Sequence, residues 1–104
     1  MDNREALNVA QCYVDNVCKK YELKQAFVFG SYARGNYHAD SDIDVAVVLK
    51  NVPNLFDAQV DLMQMRKDGD LQIKPHTFRD TDFTADDPFV YEILQAGLQL
   101  YVVN

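Results

Sequence analysis

The fold is decided by Phe27-Val28-Phe29-Gly30-Ser31-Tyr32-Ala33-Arg34-Gly35 and by Asp42-Ile43-Asp44-Val45-Ala46-Val47-Val48. The first run predicts a buried strand that ends in a sharp Gly-Ser turn, followed by a short helical turn. The second run predicts another buried strand, which carries carboxylates two residues apart. Because side chains alternate along a strand, Asp42 and Asp44 must point to one face, and Ile43, Val45 and Val47 to the opposite face.

These two runs together predict a site for a metal and a phosphate. Adjacent carboxylates such as Asp42 and Asp44 repel each other unless a cation lies between them, and magnesium is typically held by one or two carboxylates and the phosphates of a substrate. Gly30 allows the backbone to approach an anion closely. The amides that open the following helical turn point at such an anion, with the helix dipole behind them. Asp42 and Asp44 are therefore the candidate metal ligands, and Gly30 and Ser31 the candidate phosphate-binding turn.

Length and composition predict one small globular domain over residues 1–104. Hydrophobic residues make up 48% and charged residues 25%, which is ordinary for such a domain. The net charge of −6 and the isoelectric point near 4.6 argue against direct nucleic-acid binding over a broad surface, since that affinity comes from clustered Lys and Arg. This charge does not argue against binding of a single phosphate group through a metal ion.

Targeting signals and cysteines indicate the compartment. The sequence has no apolar run near ~18 residues and no basic-then-apolar N-terminus, so we expect neither a membrane span nor a signal peptide. Cys12 and Cys18 are the only cysteines, and on a helix they lie on different faces. We interpret both as helix-packing residues in a reducing compartment, and we expect a cytoplasmic protein.

The first part of the chain predicts a helix followed by strands. The apolar spacing predicts a helix over residues 3 to 21, with Asp2 and Glu5 at the spacing of a capping box. Strands are expected over 24–29, 42–49 and 71–78. The third of these contains Pro75, which requires an edge position or an early end.

Two further helices are expected between and after these strands. Pro53 is predicted to begin the first of them and Gly69 to end it, with one face formed by Phe56, Gln59, Val60 and Met63. An acidic loop over 80–87 leads to Asp87 and Pro88, the predicted N-cap and first residue of a last helix carrying Val90, Ile93 and Leu94. Gly97 closes this helix before a short apolar tail over 98–103. The order predicts a small α/β fold with helices covering a mixed sheet.

The same residues carry a family resemblance. The segments Gly30-Ser31-Tyr32-Ala33-Arg34-Gly35 and Ser41-Asp42-Ile43-Asp44-Val45 resemble the motifs of the minimal nucleotidyltransferases of the polymerase-beta superfamily. The ending of the chain is similar to theirs as well, at Lys74-Pro75-His76, Asp82-Phe83, Pro88-Phe89 and Glu92-Ile93 to Gly97. The resemblance covers nearly the whole chain from Lys24 and implies a polymerase-beta-like nucleotidyltransferase fold.

The resemblance implies transfer of a nucleoside monophosphate from a triphosphate to an acceptor hydroxyl, with release of pyrophosphate. The expected group is AMP, donated by ATP. Asp42 and Asp44 would hold one or two magnesium ions. Gly30 and Ser31 would fix the terminal phosphates. Arg34 would add a charge-assisted phosphate contact or serve as a structural cap.

One position departs from the family pattern. Members with full activity add a third carboxylate, which the resemblance places just before the Pro-His pair, where this chain has Lys74. Asp70 shares the strand parity of Lys74 and is the alternative third carboxylate, but at ~3.3 Å per residue it would be displaced by more than the length of one metal–ligand bond. A lysine at this position places a positive charge where a metal ion should bind. We therefore hypothesise weakened or absent transfer chemistry, with nucleotide binding retained.

The resemblance leaves two functions open. In the first, the protein is an enzyme that modifies a partner protein or a small-molecule acceptor. In the second, it is a binding module paired with a small helical HEPN-type protein, as antitoxin to a toxin. Other side chains carry weaker alternatives. His38 and His76 are interpreted as exposed or loop-stabilising residues rather than metal ligands, with a nucleotide contact as a further alternative for His76. Tyr32 and Tyr37 are packing or base-stacking rings. The C-terminal apolar residues Tyr91, Leu94, Leu98, Leu100 and Tyr101 leave a homo-oligomer or partner contact open.

Overall fold

A computed structural model describes residues 2–38, 40–67 and 71–103. These form a mixed four-stranded sheet with helices on both faces, as the sequence predicts. In chain order the elements are α1 (Asn3–Lys20), β1 (Leu23–Phe29), α2 (Ser31–Arg34), β2 (Ile43–Leu49), α3 (Leu55–Gln64), β3 (Ile73–Arg79), a 3-10 turn (Asp80–Asp82), α4 (Pro88–Ala96) and β4 (Leu98–Val102).

The strands lie in the order β3-β2-β1-β4. Strand β1 runs antiparallel to both β2 and β4, whereas β2 and β3 are parallel. The parallel pair needs a crossover, and α3 supplies it between β2 and β3. This arrangement puts β1 and β2, the strands that flank the Gly-Ser turn, at the centre of the sheet.

Side-chain alternation on β2 divides the core between the two faces of the sheet. Ile43, Val45 and Val47 are fully buried with residues of α1 and α3. Ala46 and Val48 are buried on the opposite face, which α4 covers. Asp44 shares the parity of Ala46 and Val48, so its carboxylate lies at the end of the α4 face.

Helix α1 confirms the prediction for residues 3 to 21 to within a residue. The Asp2 side chain accepts a hydrogen bond of 2.8 Å from the Glu5 amide, as expected for an N-cap. Cys12 and Cys18 are exposed and free, so neither forms a disulfide. Their predicted role as packing residues is therefore wrong, because α1 buries mainly its alanines, valines and Tyr13.

Helix α3 corrects two predictions. It begins at Leu55 with Asn54 as N-cap, because the Asn54 side chain accepts a hydrogen bond from the Asp57 amide and Pro53 lies outside the helix. The predicted face is turned to solvent in part: Phe56, Val60 and Met63 are 75%, 37% and 43% exposed, whereas Ala58 and Leu62 are buried. A small alanine allows α3 to approach the sheet closely, which periodicity of large residues does not reveal. The helix ends at Gln64, and Gly69, its predicted end, lies outside the described residues.

Strand β3 is an edge strand, as Pro75 requires, and it begins at Ile73 rather than Leu71. Gln59 of α3 covers its outer edge. The Gln59 amide donates a 2.8 Å hydrogen bond to the Pro75 carbonyl and accepts one of 3.0 Å from the Thr77 amide. These bonds satisfy backbone groups that an edge would otherwise expose.

The C-terminal segment corrects a further prediction. Asp87 caps α4 through the Phe89 amide and Pro88 is its first residue, as predicted. The residues after Gly97, predicted as a tail, instead form strand β4 against β1. Five residues of mixed polarity give too short a pattern for a strand to be recognised. In the part of the chain that the structure describes, the helices are all too short or too polar to cross a membrane.

Candidate functional site

The Gly-Ser turn packs directly on the second carboxylate. Phe29 at the end of β1 is the ladder partner of Asp44 on β2, so the turn that follows Phe29 lies beside Asp44. Gly30 has φ +76° and ψ −147°, a conformation that essentially only glycine adopts. A Cβ at this position would lie 2.5 Å from Asp44 Oδ2. Both the backbone conformation and the contact therefore require glycine.

Asp42 and Asp44 lie in one site, and each contacts a side chain of β3. Lys74 Nζ is 3.0 Å from Asp42 Oδ2, and His76 Nε2 is 3.1 Å from Asp44 Oδ1. Since an ionised carboxylate only accepts, the imidazole N–H donates in the second contact. Asp42 immediately precedes β2, whose first residue is Ile43.

Lys74, at the position where the family resemblance puts a third carboxylate, lies beside Asp42. It is the ladder partner of Asp44 in the parallel β2–β3 pair, while its ammonium reaches Asp42. The hydrogen bond to Asp42 raises the pKa of Lys74, the negative charge of Asp42 adds to this effect, desolvation opposes it, and the more weakly acting charge of Asp44 supports it. The lysine is therefore firmly cationic beside both carboxylates.

His76 has a defined place that sequence reasoning located only as near the site. Its ring meets Phe29 edge-on, with centroids 4.9 Å apart, and lies 6.2 Å from the ring of Phe89. Lys74 and His76 share one face of β3, and the parallel register pairs them with Asp44 and Ala46 of β2. The contact between His76 and Asp44 depends on this register, which is known only once the two strands are aligned.

The loop before β2 is fixed by local hydrogen bonds. Ser41 Oγ accepts a 2.8 Å bond from the His38 amide, and the Ser41 amide donates a 2.9 Å bond to the His38 carbonyl. The Ile43 amide then donates to the Gln72 carbonyl at 2.8 Å. Asp42 is held between these two anchors. His38 thus contributes its backbone to the loop.

Arg34 ends α2 at the rim of the site. Its guanidinium forms a 3.6 Å ion pair with Glu92 of α4, and both side chains are more than half exposed. An exposed pair of this kind contributes little stability, so Arg34 can exchange Glu92 for a phosphate at small cost. Tyr32 and Tyr37 stack on each other with centroids 4.6 Å apart, and Tyr32 is buried. Packing, one of the two roles considered for these rings, is the role of Tyr32.

Two adjacent grooves meet at Gly30, Arg34 and Asp44. The polar groove, of about 410 Å³, is lined by Gly30, Ser31, Arg34, Asn36, His38, Asp40, Ser41, Asp42 and Asp44. The more apolar groove, of about 220 Å³, is lined by Phe29, Gly30, Ala33, Arg34, Asp44, Phe89, Glu92, Ile93 and Ala96. A hydroxyl, a guanidinium and carboxylates therefore border a partly aromatic cleft, an arrangement suited to a ligand with a charged end and a flat apolar end.

The side chains of the site provide some of the ligands that a divalent cation needs. Asp42 and Asp44 provide hard oxygen ligands, and each has one oxygen outside its contact with Lys74 or His76. Within residues 2–38, 40–67 and 71–103, no group of three or more His, Cys, Asp or Glu side chains is placed to hold a metal ion. Asp70, the alternative third carboxylate, lies outside the described residues. Asp42 and Asp44 would therefore hold such an ion only with further ligands from a bound phosphate or from water.

Known proteins resemble this chain in sequence. The sequence model of the family described as "Polymerase beta, Nucleotidyltransferase" matches residues 13–104. A relative from Methanocaldococcus jannaschii, named as a candidate protein adenylyltransferase, is 31% identical over 84 residues, which cover 78% of this chain and 82% of the relative.

Solved structures share the fold. A candidate nucleotidyltransferase from Sulfolobus solfataricus aligns with a TM-score of 0.66 and 25% identity, over 77% of this chain and 72% of that one. A chain of a toxin-antitoxin complex solved with AMP-PNP aligns at 0.60 and 18% identity, over 90% and 74%. A chain of a Shewanella oneidensis complex of a tri-AMPylated HEPN toxin with its MNT antitoxin aligns at 0.56 and 15% identity, over 98% and 74%. At these last two identities the likeness shows the fold alone.

Proposed function

Because this chain belongs to the polymerase beta nucleotidyltransferase family, we propose that it transfers AMP from ATP to a hydroxyl group of a partner protein. The observation that carries the proposal is the Gly30-Ser31 turn packed against Asp44 beside Asp42. This contact brings the phosphate-binding turn and the carboxylates into one groove. We further propose that residues 1–104 act as one domain.

In this proposal each side of the groove has a separate role. Ser31 and the backbone amides that open α2 donate to the terminal phosphates, and Arg34 leaves Glu92 to contact them. The aromatic wall formed by Phe29 and Phe89 receives the flat base. Asp42 and Asp44 would hold magnesium, which, when bound, neutralises the charge that develops on the triphosphate.

The proposed reaction is a displacement at the α-phosphorus. The acceptor oxygen forms a new P–O bond, and the bond from that phosphorus to the bridging oxygen of pyrophosphate breaks. The acceptor proton leaves to water at the open mouth of the polar groove. Pyrophosphate departs with the bond electrons on the side of Ser31 and Arg34, whose donors stabilise its charge.

The choice of nucleotide and acceptor follows from the relatives. AMP and a protein acceptor follow the name of the M. jannaschii relative, which covers most of both chains. A helical HEPN-type protein is chosen as partner because chains of toxin-antitoxin complexes have the same fold. Both choices are parts of the proposal.

Lys74 favours a second candidate function. Its ammonium is hydrogen-bonded to Asp42, one of the proposed metal ligands, and competes there with a divalent ion. In that case the protein binds nucleotide and its partner but transfers AMP slowly or not at all, and inhibits a HEPN-type toxin by occlusion.

One experiment separates the two candidates. The protein is incubated with ATP, MgCl₂ and a small helical HEPN-type protein, and the intact mass of each protein is measured. The first candidate predicts an added AMP on the partner that is abolished in Asp42→Asn and retained in Asp86→Asn, an exposed carboxylate of the acidic loop. A stable complex without added mass supports the second candidate. If neither a complex nor added mass is detected, both candidates are contradicted.

A further inference from the structure

Lys74 contacts the carboxylate pair at the place where a metal-dependent site would gather positive charge. Its Nζ is 3.0 Å from Asp42 Oδ2, and its backbone is paired with that of Asp44. The ammonium therefore lies within reach of both carboxylates. A divalent cation in the same position would neutralise the same repulsion.

Structural stability does not explain this ion pair. The Lys74 and Asp42 side chains are 59% and 49% exposed. Exposed ion pairs contribute at most about 1 kcal/mol, since water screens the attraction and ordering two side chains costs entropy. The lysine lies on an edge strand, where its side chain could extend freely into solvent. The pair therefore adds little to folding stability, and the ammonium can contact a bound anion as well as Asp42 at small cost.

An ammonium can also bind a triphosphate. It has three N–H donors, of which Asp42 uses one, so donor capacity is left for phosphate oxygens. A lysine acts on phosphate as a compact point charge. Asp42 and Asp44 together carry two negative charges, and Lys74 balances one of them. A single divalent ion then gives Asp42, Asp44 and Lys74 together with the ion a net charge of +1, which favours the binding of an anionic triphosphate over that by the carboxylates alone.

We propose that the Lys74 ammonium is a resident cation of this site, which replaces one divalent ion so that the nucleotide is bound with a single metal ion. This inference rests on the proposed nucleotide site and specifies how its charge is balanced. It explains why the described residues provide two carboxylates and not a larger acidic cluster.

The test measures how many Mn²⁺ ions bind per chain in the presence of AMP-PNP, by electron paramagnetic resonance, together with the Kd of AMP-PNP by calorimetry. The wild type is expected to bind one Mn²⁺. Lys74→Glu exchanges the cation for an oxygen ligand and is expected to bind two. Lys74→Met is expected to weaken AMP-PNP binding by about tenfold or more, as expected when a charged hydrogen bond is lost.

Lys19→Met is the matched control, since Lys19 is an exposed lysine at the end of α1, away from the site. It should leave both the ion count and the Kd unchanged. Circular dichroism checks that each variant is folded. If Lys74→Glu does not fold, the Kd of AMP-PNP for Lys74→Met tests the inference on its own.

Each result has a defined meaning. Two Mn²⁺ ions on the wild type, or an unchanged Kd in Lys74→Met, overturn the inference about Lys74 while the proposed nucleotide site stands. A folded Lys74→Glu that still binds one ion also overturns it. Failure of the wild type to bind AMP-PNP with either Mg²⁺ or Mn²⁺ overturns the proposed function and this inference together.

Discussion

Gly30→Ala tests the contact that joins the Gly30-Ser31 turn to the carboxylates. Gly30 has φ +76°, and the new methyl group would lie 2.5 Å from Asp44 Oδ2 but 3.4 Å from Asp44 Cγ. Only the end of the side chain must move, so we expect the Asp44 carboxylate to rotate. Rotation would break its bond to His76 and displace it from the groove.

The magnitude follows from two separate costs. Forcing alanine into the conformation of Gly30 costs about 1–3 kcal/mol of folding stability. Displacing a carboxylate that bonds to a charged ligand costs about 1.5–3 kcal/mol of binding, which weakens ATP binding by about tenfold or more. Urea denaturation measures the first cost, and calorimetry with ATP and MgCl₂ measures the second.

Gly35→Ala is the matched control. Gly35 has φ +82°, but a Cβ there would meet no atom within 4 Å. Its left-handed conformation costs alanine about 1–2 kcal/mol, so both variants should be destabilised by similar amounts. Only Gly30→Ala should lose ATP binding. Equal ATP affinities in the two variants would refute the argument that Gly30 positions Asp44.

The other predictions concern the scaffold. Gln59→Ala should destabilise the fold by about 1–3 kcal/mol, measured by urea denaturation, because the outer edge of β3 loses its hydrogen bonds; an unchanged midpoint would contradict this. The hydrogen bond to Asp61 raises the pKa of Tyr21 from 10.0 to about 12. The stability from this bond is therefore complete below pH 10 and is lost as the pH rises through about 12. Tyr21→Phe lacks this bond, so its melting temperature should fall less than that of the wild type as the pH rises from 10 to about 12. An identical fall in both proteins would contradict a stabilising Tyr21–Asp61 bond. Phe56→Ser should change stability by less than about 0.5 kcal/mol, whereas Leu62→Ala should cost about 2–5 kcal/mol in the same assay, since only Leu62 is buried.

Local patterns in the sequence were sufficient for the centre of the fold. Alternation in β2 assigned Ile43 to the core and Asp44 to the opposite face, and the structure confirms both positions. The glycine of the Gly-Ser turn was also recognised, because its conformation follows from residues adjacent in sequence. Such features depend on only a few neighbouring residues.

Features that depend on tertiary packing could not be predicted. The spacing placed Phe56, Val60 and Met63 on one face of the helix, but α3 approaches the sheet through Ala58 and Leu62. Strand β4 needs β1 as its partner and shows no clear period of its own. The contacts of Lys74 and His76 with the carboxylates depend on the β2–β3 register, which no single strand specifies. The family resemblance placed Lys74 near the site, while the pairing itself became visible only in the structure.

The central proposal, that Asp42 and Asp44 form a metal-dependent nucleotide site, is tested most directly by calorimetric titration of ATP with and without MgCl₂. We predict binding by the wild type that requires magnesium for full affinity and is weakened at least tenfold in Asp44→Asn, with Asp86→Asn unchanged. Equal affinity of the wild type and Asp44→Asn, or no binding by the wild type, would contradict the proposed site.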